Sequence, residues 1–278
     1  MTTHWTQDDM SADGVRLHYH RTGHGEKPPL VLLHGFTDNG LCWTPIARGL
    51  ESEYDVIMPD MPGHGLSERM RPGGRVDMAH NLAEFIRALG LSRPAVIGHS
   101  MGAMIAYQIG VRFPERAGAL VLEDPPWGLS PSFHGIPPDR PEESPTAQWA
   151  KSLADLTLEE LMAQNRADHP DWTESFVRIM SRSKKQFDPA ITDPMVEQVL
   201  SQMNDWMDGI RQIVQPLLVF AGDPERGGIV TPEVVAKIRE LNPAAAVVVV
   251  PDVGHLIRFD RPAVFLRELR AFLRRITA

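Results

Sequence analysis

The amino-acid sequence predicts an α/β fold built on a mainly parallel sheet. Three observations carry that prediction: short apolar runs of strand length recur along the chain, helix-period patterns separate them, and Pro, Gly and Asp punctuate the joins. An apolar run without polar alternation suits a strand covered on both faces, as in a parallel sheet flanked by helices.

The first ordered segment expected is Val15 to His20, where Val15, Leu17 and Tyr19 alternate with polar neighbours at the period of a half-buried strand. Pro28-Pro29 then introduces the run Leu30 to Leu33. Further buried-strand runs follow at Asp55 to Met58, Ala95 to Ile97, Ala119 to Leu122, Leu217 to Phe220 and Ala246 to Val250. Helical patterns lie between them at Val76 to Leu89, Met101 to Arg112, Pro232 to Leu241 and Pro262 to Ile276.

One stretch breaks the alternation. Seven prolines fall between Pro125 and Pro145, and from Ala147 to Ile213 the pattern is helical, with no buried-strand run before Leu217. The organisation expected is a core from 1–125 and 214–278 with a helical cap, 126–213, inserted between two strands. Trp127, Trp149, Trp172 and Trp206 all lie in this insert, where each serves either helix packing or substrate contact.

Composition narrows the function. With 28 Lys+Arg against 36 Asp+Glu the formal charge is −8, and the basic residues are spread along the chain, so neither nucleic acid nor an anionic membrane is an expected partner. Cys42 is the single cysteine, which excludes an internal disulfide and a thiolate zinc cage. No apolar run approaches the roughly 18 residues of a membrane helix, and Met1 to Met10 is polar, unlike a secretory leader. The expectation is a cytoplasmic monomer or homodimer acting on a small molecule.

The chemical signal is Gly98-His99-Ser100-Met101-Gly102, which follows one apolar run and opens a helical one. In that context G-x-S-x-G is a nucleophile elbow: glycines two residues either side leave room for a sharp turn that thrusts the Ser100 hydroxyl above the sheet. The helix start behind it aims free N–H groups at developing negative charge. His34-Gly35-Phe36 follows the run Leu30 to Leu33, so the Phe36 N–H is expected to pair with that of Met101 as an oxyanion hole.

With Asp60-Met61-Pro62-Gly63-His64-Gly65-Leu66-Ser67 and a late Gly254-His255, these motifs give four ordered matches, and the chain resembles the α/β-hydrolase superfamily over nearly its whole length. The resemblance implies an eight-stranded, mostly parallel sheet, a lid after the sixth strand, and a Ser–acid–His triad with no metal or organic cofactor. Asp60, Gly63 and Gly65 are expected to shape a turn beside the oxyanion loop.

His255 is the candidate base, because it follows a strand and loop and completes the order Ser, acid, His. The acid is open. Asp124 stands at the end of the run Ala119 to Leu122, where some members of the superfamily draw their acid, and Glu225 stands three residues after Gly222, the commoner place. Asp223 is a third choice. Arg226-Gly227-Gly228 lengthens the loop beyond Glu225, which weakens that match.

The reaction expected is hydrolysis of an ester or lactone through an acyl-enzyme on Ser100. Gly35, His99, Met104, Trp127, Phe133, Trp149 and Met180 are the candidate substrate-binding residues, beside Phe36 and Met101, and they suggest a small to medium, fairly apolar substrate. His34 and His99 flank the pocket in the resemblance and serve either as structural support or as substrate contacts. The motifs also fit a ligand sensor with little turnover, C–C hydrolysis, perhydrolysis or a lyase, because one fold hosts many chemistries.

Overall fold

The computed structural model describes residues 5–70, 77–127, 139–202 and 206–277. Eight strands form one sheet in the order β1-β2-β4-β3-β5-β6-β7-β8. They are β1 (Thr6–Ala12), β2 (Val15–Arg21), β3 (Pro29–Leu33), β4 (Asp55–Pro59), β5 (Ala95–His99), β6 (Ala119–Glu123), β7 (Leu217–Ala221) and β8 (Ala246–Val249). The β1–β2 and β2–β4 pairs are antiparallel, and every other pair is parallel.

The sheet shows why the central runs carry no polar alternation. In β3, Val31 and Leu33 enter the apolar layer shared with α2 (Met78–Ala88), α3 (Met101–Arg112) and α9 (Pro232–Leu241), whereas Leu30 and Leu32 enter the opposite layer with α1 (Thr44–Leu50) and α11 (Pro262–Thr277). Successive side chains point to opposite faces, so a strand covered twice must be apolar at every position. Fully burying a leucine contributes about 2 kcal/mol, and Leu32 and Leu33 are both inaccessible.

The first strand corrects the expectation that order begins at Val15. Thr6–Ala12 is polar and mostly exposed, so no apolar pattern marks it. It is held by a full antiparallel register with β2 across a two-residue turn. Asp13 and Gly14 both take positive φ, 50° and 75°, the geometry for which Asp-Gly is favoured in tight hairpins.

Between β6 and β7 the described residues contain α4 (Pro145–Ser152), α5 (Leu158–Asp168), α6 (Glu174–Gln186), α7 (Thr192–Gln202) and α8 (Trp206–Gln212), with no strand among them. Thr157 and Glu160 form a reciprocal capping box at the start of α5. Aromatic α6 residues reach across to α10 (Ile257–Asp260), with Phe176 5.3 Å from Phe259. No helix among the described residues is long and apolar enough to cross a membrane.

Candidate active site

Two adjacent strand ends make sharp corners. Ser100, directly after β5, has φ 53° and ψ −116°, and Asp124, directly after β6, has φ 44°. For residues other than glycine such backbone costs on the order of 1–3 kcal/mol and persists only where the surroundings impose it. Here the sheet imposes it: Ser100 N donates to Glu123 O at 2.9 Å, and Asp124 N donates to Phe220 O at 2.9 Å.

The two flanking glycines of the elbow are sterically required. A Cβ on Gly98 would stand 2.1 Å from Gly102 O, and one on Gly102 would stand 2.3 Å from Leu33 O and 2.6 Å from His34 O. The turn is thus closed against both its own helix and the end of β3. Met101 opens α3, so its N–H has no partner within the helix, and the Phe36 N–H donates to no group among the described residues.

Asp124 is fully buried and receives a dense set of donors. Its Oδ2 lies 2.7 Å from His255 Nδ1 and accepts the Ile229 N–H at 2.8 Å, while Oδ1 accepts the Val230 N–H at 3.1 Å. A carboxylate only accepts, so this contact places the His255 ring proton on Nδ1 and leaves Nε2 as the basic nitrogen.

Glu225 is exposed on a 3₁₀ turn (Pro224–Arg226) whose N-terminus is capped by the Asp223 side chain, Oδ1 accepting from Glu225 N at 2.9 Å. Among the described residues neither carboxyl is hydrogen-bonded to His255. The glycines beyond Glu225 fold the loop back, Gly228 N donating to Asp223 O at 2.9 Å, so the lengthened loop brings the Ile229 and Val230 amides onto Asp124.

Ser100 and His255 line one cavity of about 590 Å³ together with Phe36, Met101 and His99. His99 donates from Nε2 to the His255 carbonyl at 3.0 Å, and its ring centroid lies 4.5 Å from that of His255. Its Nδ1 is buried without a hydrogen-bond partner among the described residues and packs against Gly35, where a Cβ would come within 2.7 Å. Burial holds the His99 imidazole well below its usual pKa. His34 is buried behind the loop, donating from Nδ1 to Gly35 O and accepting the Met61 N–H at Nε2, and burial lowers its pKa to about 3.

Asp60 organises the neighbouring turn by accepting the Gly40 and Leu66 N–H groups, each at 2.7 Å, and burial raises its pKa. Gly65, at φ 54°, has no room for a side chain, because a Cβ would meet Asp60 Oδ2 at 2.0 Å.

The insert supplies most of the remaining wall. Trp149, Trp172, Met180, Met195 and Val199 line the cavity, joined by Phe259 from α10. Two candidates line a different cavity. Met104 and Trp127 face a second, smaller cavity of about 250 Å³, with Tyr107, Val111 and Trp206. Met104 lies one turn beyond Ser100 on α3, and Trp127 is held by stacking on Trp206 at 5.1 Å. Phe133 lies outside the described residues.

Sequence reasoning missed the charged part of the wall. Lys184 and Asp38 both line the main cavity, and Lys184 Nζ bonds Asp38 Oδ1 at 2.6 Å and Thr37 Oγ1 at 2.8 Å. Behind them Arg258, inaccessible, pairs with Glu123 at 3.0 Å and reaches within 3.8 Å of Asp38 Oδ2. Burial raises the Glu123 pKa while Arg258 opposes that rise. A visible signal existed for Lys184. It follows Phe176, Val177 and Met180 on the apolar face of α6, an unusual place for an ammonium.

Comparison with known proteins adds the following. A family model described as alpha/beta hydrolase fold matches residues 28–262. The chain is 29% identical to N-formylmaleamate deformylase of Pseudomonas putida, over 98% of each chain. It is also 29% identical to a 2-hydroxy-6-oxononadienedioate/2-hydroxy-6-oxononatrienedioate hydrolase of Burkholderia vietnamiensis, over 94% of this chain and 92% of that one. The solved structure of E-2-(acetamidomethylene)succinate hydrolase superposes with a TM-score of 0.75 at 21% identity, covering 97% of this chain and 99% of the other.

Proposed function

The chain belongs to the alpha/beta hydrolase fold family, and from that premise we propose that it is a serine hydrolase with Ser100 as nucleophile, His255 as base and Asp124 as the acid that orients it. The observation that carries this reading is the 2.7 Å contact between Asp124 and His255 beside the cavity that Ser100 lines. His255 Nε2 takes the hydroxyl proton as Ser100 Oγ attacks an acyl carbonyl, and the tetrahedral oxyanion is held by the Phe36 and Met101 N–H groups, each donor contributing about 3 kcal/mol. The bond to the leaving group breaks as His255 returns the proton to it. Water then repeats the sequence on the acyl-Ser100 ester and releases the acid.

The bond cleaved is an ester or lactone of a small to medium acyl compound, accommodated by an apolar wall on the insert. That insert, 126–213, acts as a cap over the core 1–125 and 214–278, and the protein works without cofactor as a cytoplasmic monomer or homodimer. A second reading replaces the leaving alcohol by an amine, because the P. putida relative is named as a deformylase of an N-formyl compound. A fluorophosphonate probe should label the parent protein and spare Ser100→Ala. Sustained release of p-nitrophenol from graded acyl esters supports the enzyme, one stoichiometric burst supports a sensor, and faster cleavage of matched anilides favours the amide reading.

A further inference from the structure

The proposed site holds one fixed cation that its chemistry does not use. Among the described residues Lys184 is the only lysine or arginine lining the cavity. It projects from the apolar face of α6, and its side chain is 14% exposed. An ion pair in such a wall adds little stability over apolar residues of similar volume, since desolvation offsets the Coulombic gain. Its presence there calls for another use.

The hydrogen-bond count indicates what that use is. An ammonium has three donors; among the described residues Lys184 gives two hydrogen bonds, to Thr37 Oγ1 and Asp38 Oδ1, and its Nζ stands 5.7 Å from the Trp149 ring centroid, an aromatic face that leaves the third hydrogen without a hydrogen-bond acceptor. Asp38 is also within 3.8 Å of Arg258, so its charge is shared between two cations. The Lys184 and Arg258 charges are balanced by those of Asp38 and Glu123, and the other carboxylate lining the cavity, Asp168, is exposed. Recognition here therefore comes from a direct charged hydrogen bond, with no surplus cationic field. The bond is also placed for the acyl side of a substrate: Thr37 and Asp38 directly follow Phe36, whose N–H faces the oxyanion in the reading above.

We infer that the third Lys184 hydrogen binds a carboxylate carried on the acyl part of the substrate, so that the preferred substrates are half-acids: an acyl group bound at Ser100, a short apolar spacer and a terminal carboxylate on Lys184. The inference rests on the Ser100 reading and names the substrate class of that same site.

Mono-p-nitrophenyl adipate and p-nitrophenyl hexanoate share a chain length and differ in a terminal carboxylate against a methyl. The wild type should favour the half-acid in kcat/KM by on the order of tenfold, the scale of one charged hydrogen bond. Lys184→Met should remove that preference and Lys184→Arg should retain it. No preference in the wild type, or an equal loss on both esters in Lys184→Met, would overturn the subsite and leave Lys184 as a latch between the insert and the oxyanion loop. Adipate alone provides a readout independent of turnover: it should raise the Tm of the wild type more than hexanoate does, and this difference should vanish in Lys184→Met. If neither ester turns over, the hydrolase reading fails, while the adipate shift still decides the subsite: a difference that depends on Lys184 upholds it, and no difference overturns it.

Discussion

The ends of β3, β5 and β6 and the helices α4 to α7 face the same cavity, yet they are held by different forces. On the sheet side Ser100 and Asp124 are fixed by backbone, and His255 is held in turn by the Asp124 carboxylate. Ser100 and Asp124 are tied to neighbouring strands through their own N–H groups, Gly98 and Gly102 leave no room for a methyl, and Asp124 is gripped by loop amides. On the insert side the wall is made of side chains. Among its joins to the core is a patch beside the cavity: Lys184 on Thr37 and Asp38, Gln186 on Asn39 at 2.9 Å, Phe187 against Phe36 at 5.0 Å, and Asp188 on the Met70 N–H at 3.0 Å. The difference teaches that substitutions on the sheet side should change rate, and substitutions on the insert side should change which molecule reacts.

The sharpest way to break that division is Ser100→Ala. It should cost about 10⁶-fold in kcat, as for other nucleophile deletions, with an unchanged melting temperature; retained turnover would remove the sheet side from the chemistry altogether. Next in size, Asp124→Asn should lose about 10⁴-fold through the wrong His255 tautomer, whereas Glu225→Gln should stay within about twofold. The reverse result would return the acid to the β7 loop.

Acid lability sharpens the comparison further, because the buried His34, His64 and His99 and the half-buried His20 belong to the sheet side. Burial lowers His20 to about 4 and His34 to about 3, and it holds His64 and His99 well below 6.5. From about pH 6.5 down to those values the unfolded chain binds protons that the folded chain refuses, so stability falls as pH falls. Asp60 and Glu123, raised by burial, act in the opposite sense: the folded chain keeps their protons, and that contribution is lost as pH rises. The large depressions at His20 and His34 set the expected sign, and melting scans should show a lower Tm at pH 5 than at pH 6.5. A flat profile would mean that these rings gain protons without unfolding. The smallest effect is expected on the insert: Met180→Ala should raise KM a few-fold with little change in kcat, at a stability cost of about 2 kcal/mol or more. An equal fall in kcat would show that the wall also orients the reacting groups.

Much of the sheet side was legible before any coordinates. The runs at Leu30, Ala95, Ala119 and Leu217 each became a central strand, and Met101–Arg112 and Pro232–Leu241 form helices with the bounds their patterns predict. Double burial forces continuous apolarity, and caps and glycines mark the ends. The strand Thr6–Ala12 was hidden because an exposed edge strand needs no apolar face, leaving Asp13-Gly14 as its only local signal. That Met104 and Trp127 line the smaller cavity was also hidden, since sequence spacing says which residues share a face and cannot say which cavity that face meets.

By itself the sequence determined the fold class and the G-x-S-x-G turn at Ser100, since these follow from periodicity and glycine sterics along one chain, and the resemblance supplied the order of the candidate groups. Only the tertiary structure decided which carboxyl meets His255 and that Lys184 joins Thr37 and Asp38. Both contacts close between residues more than a hundred positions apart, where the outcome depends on how a loop folds back and how an inserted helix rotates. No local pattern encodes either.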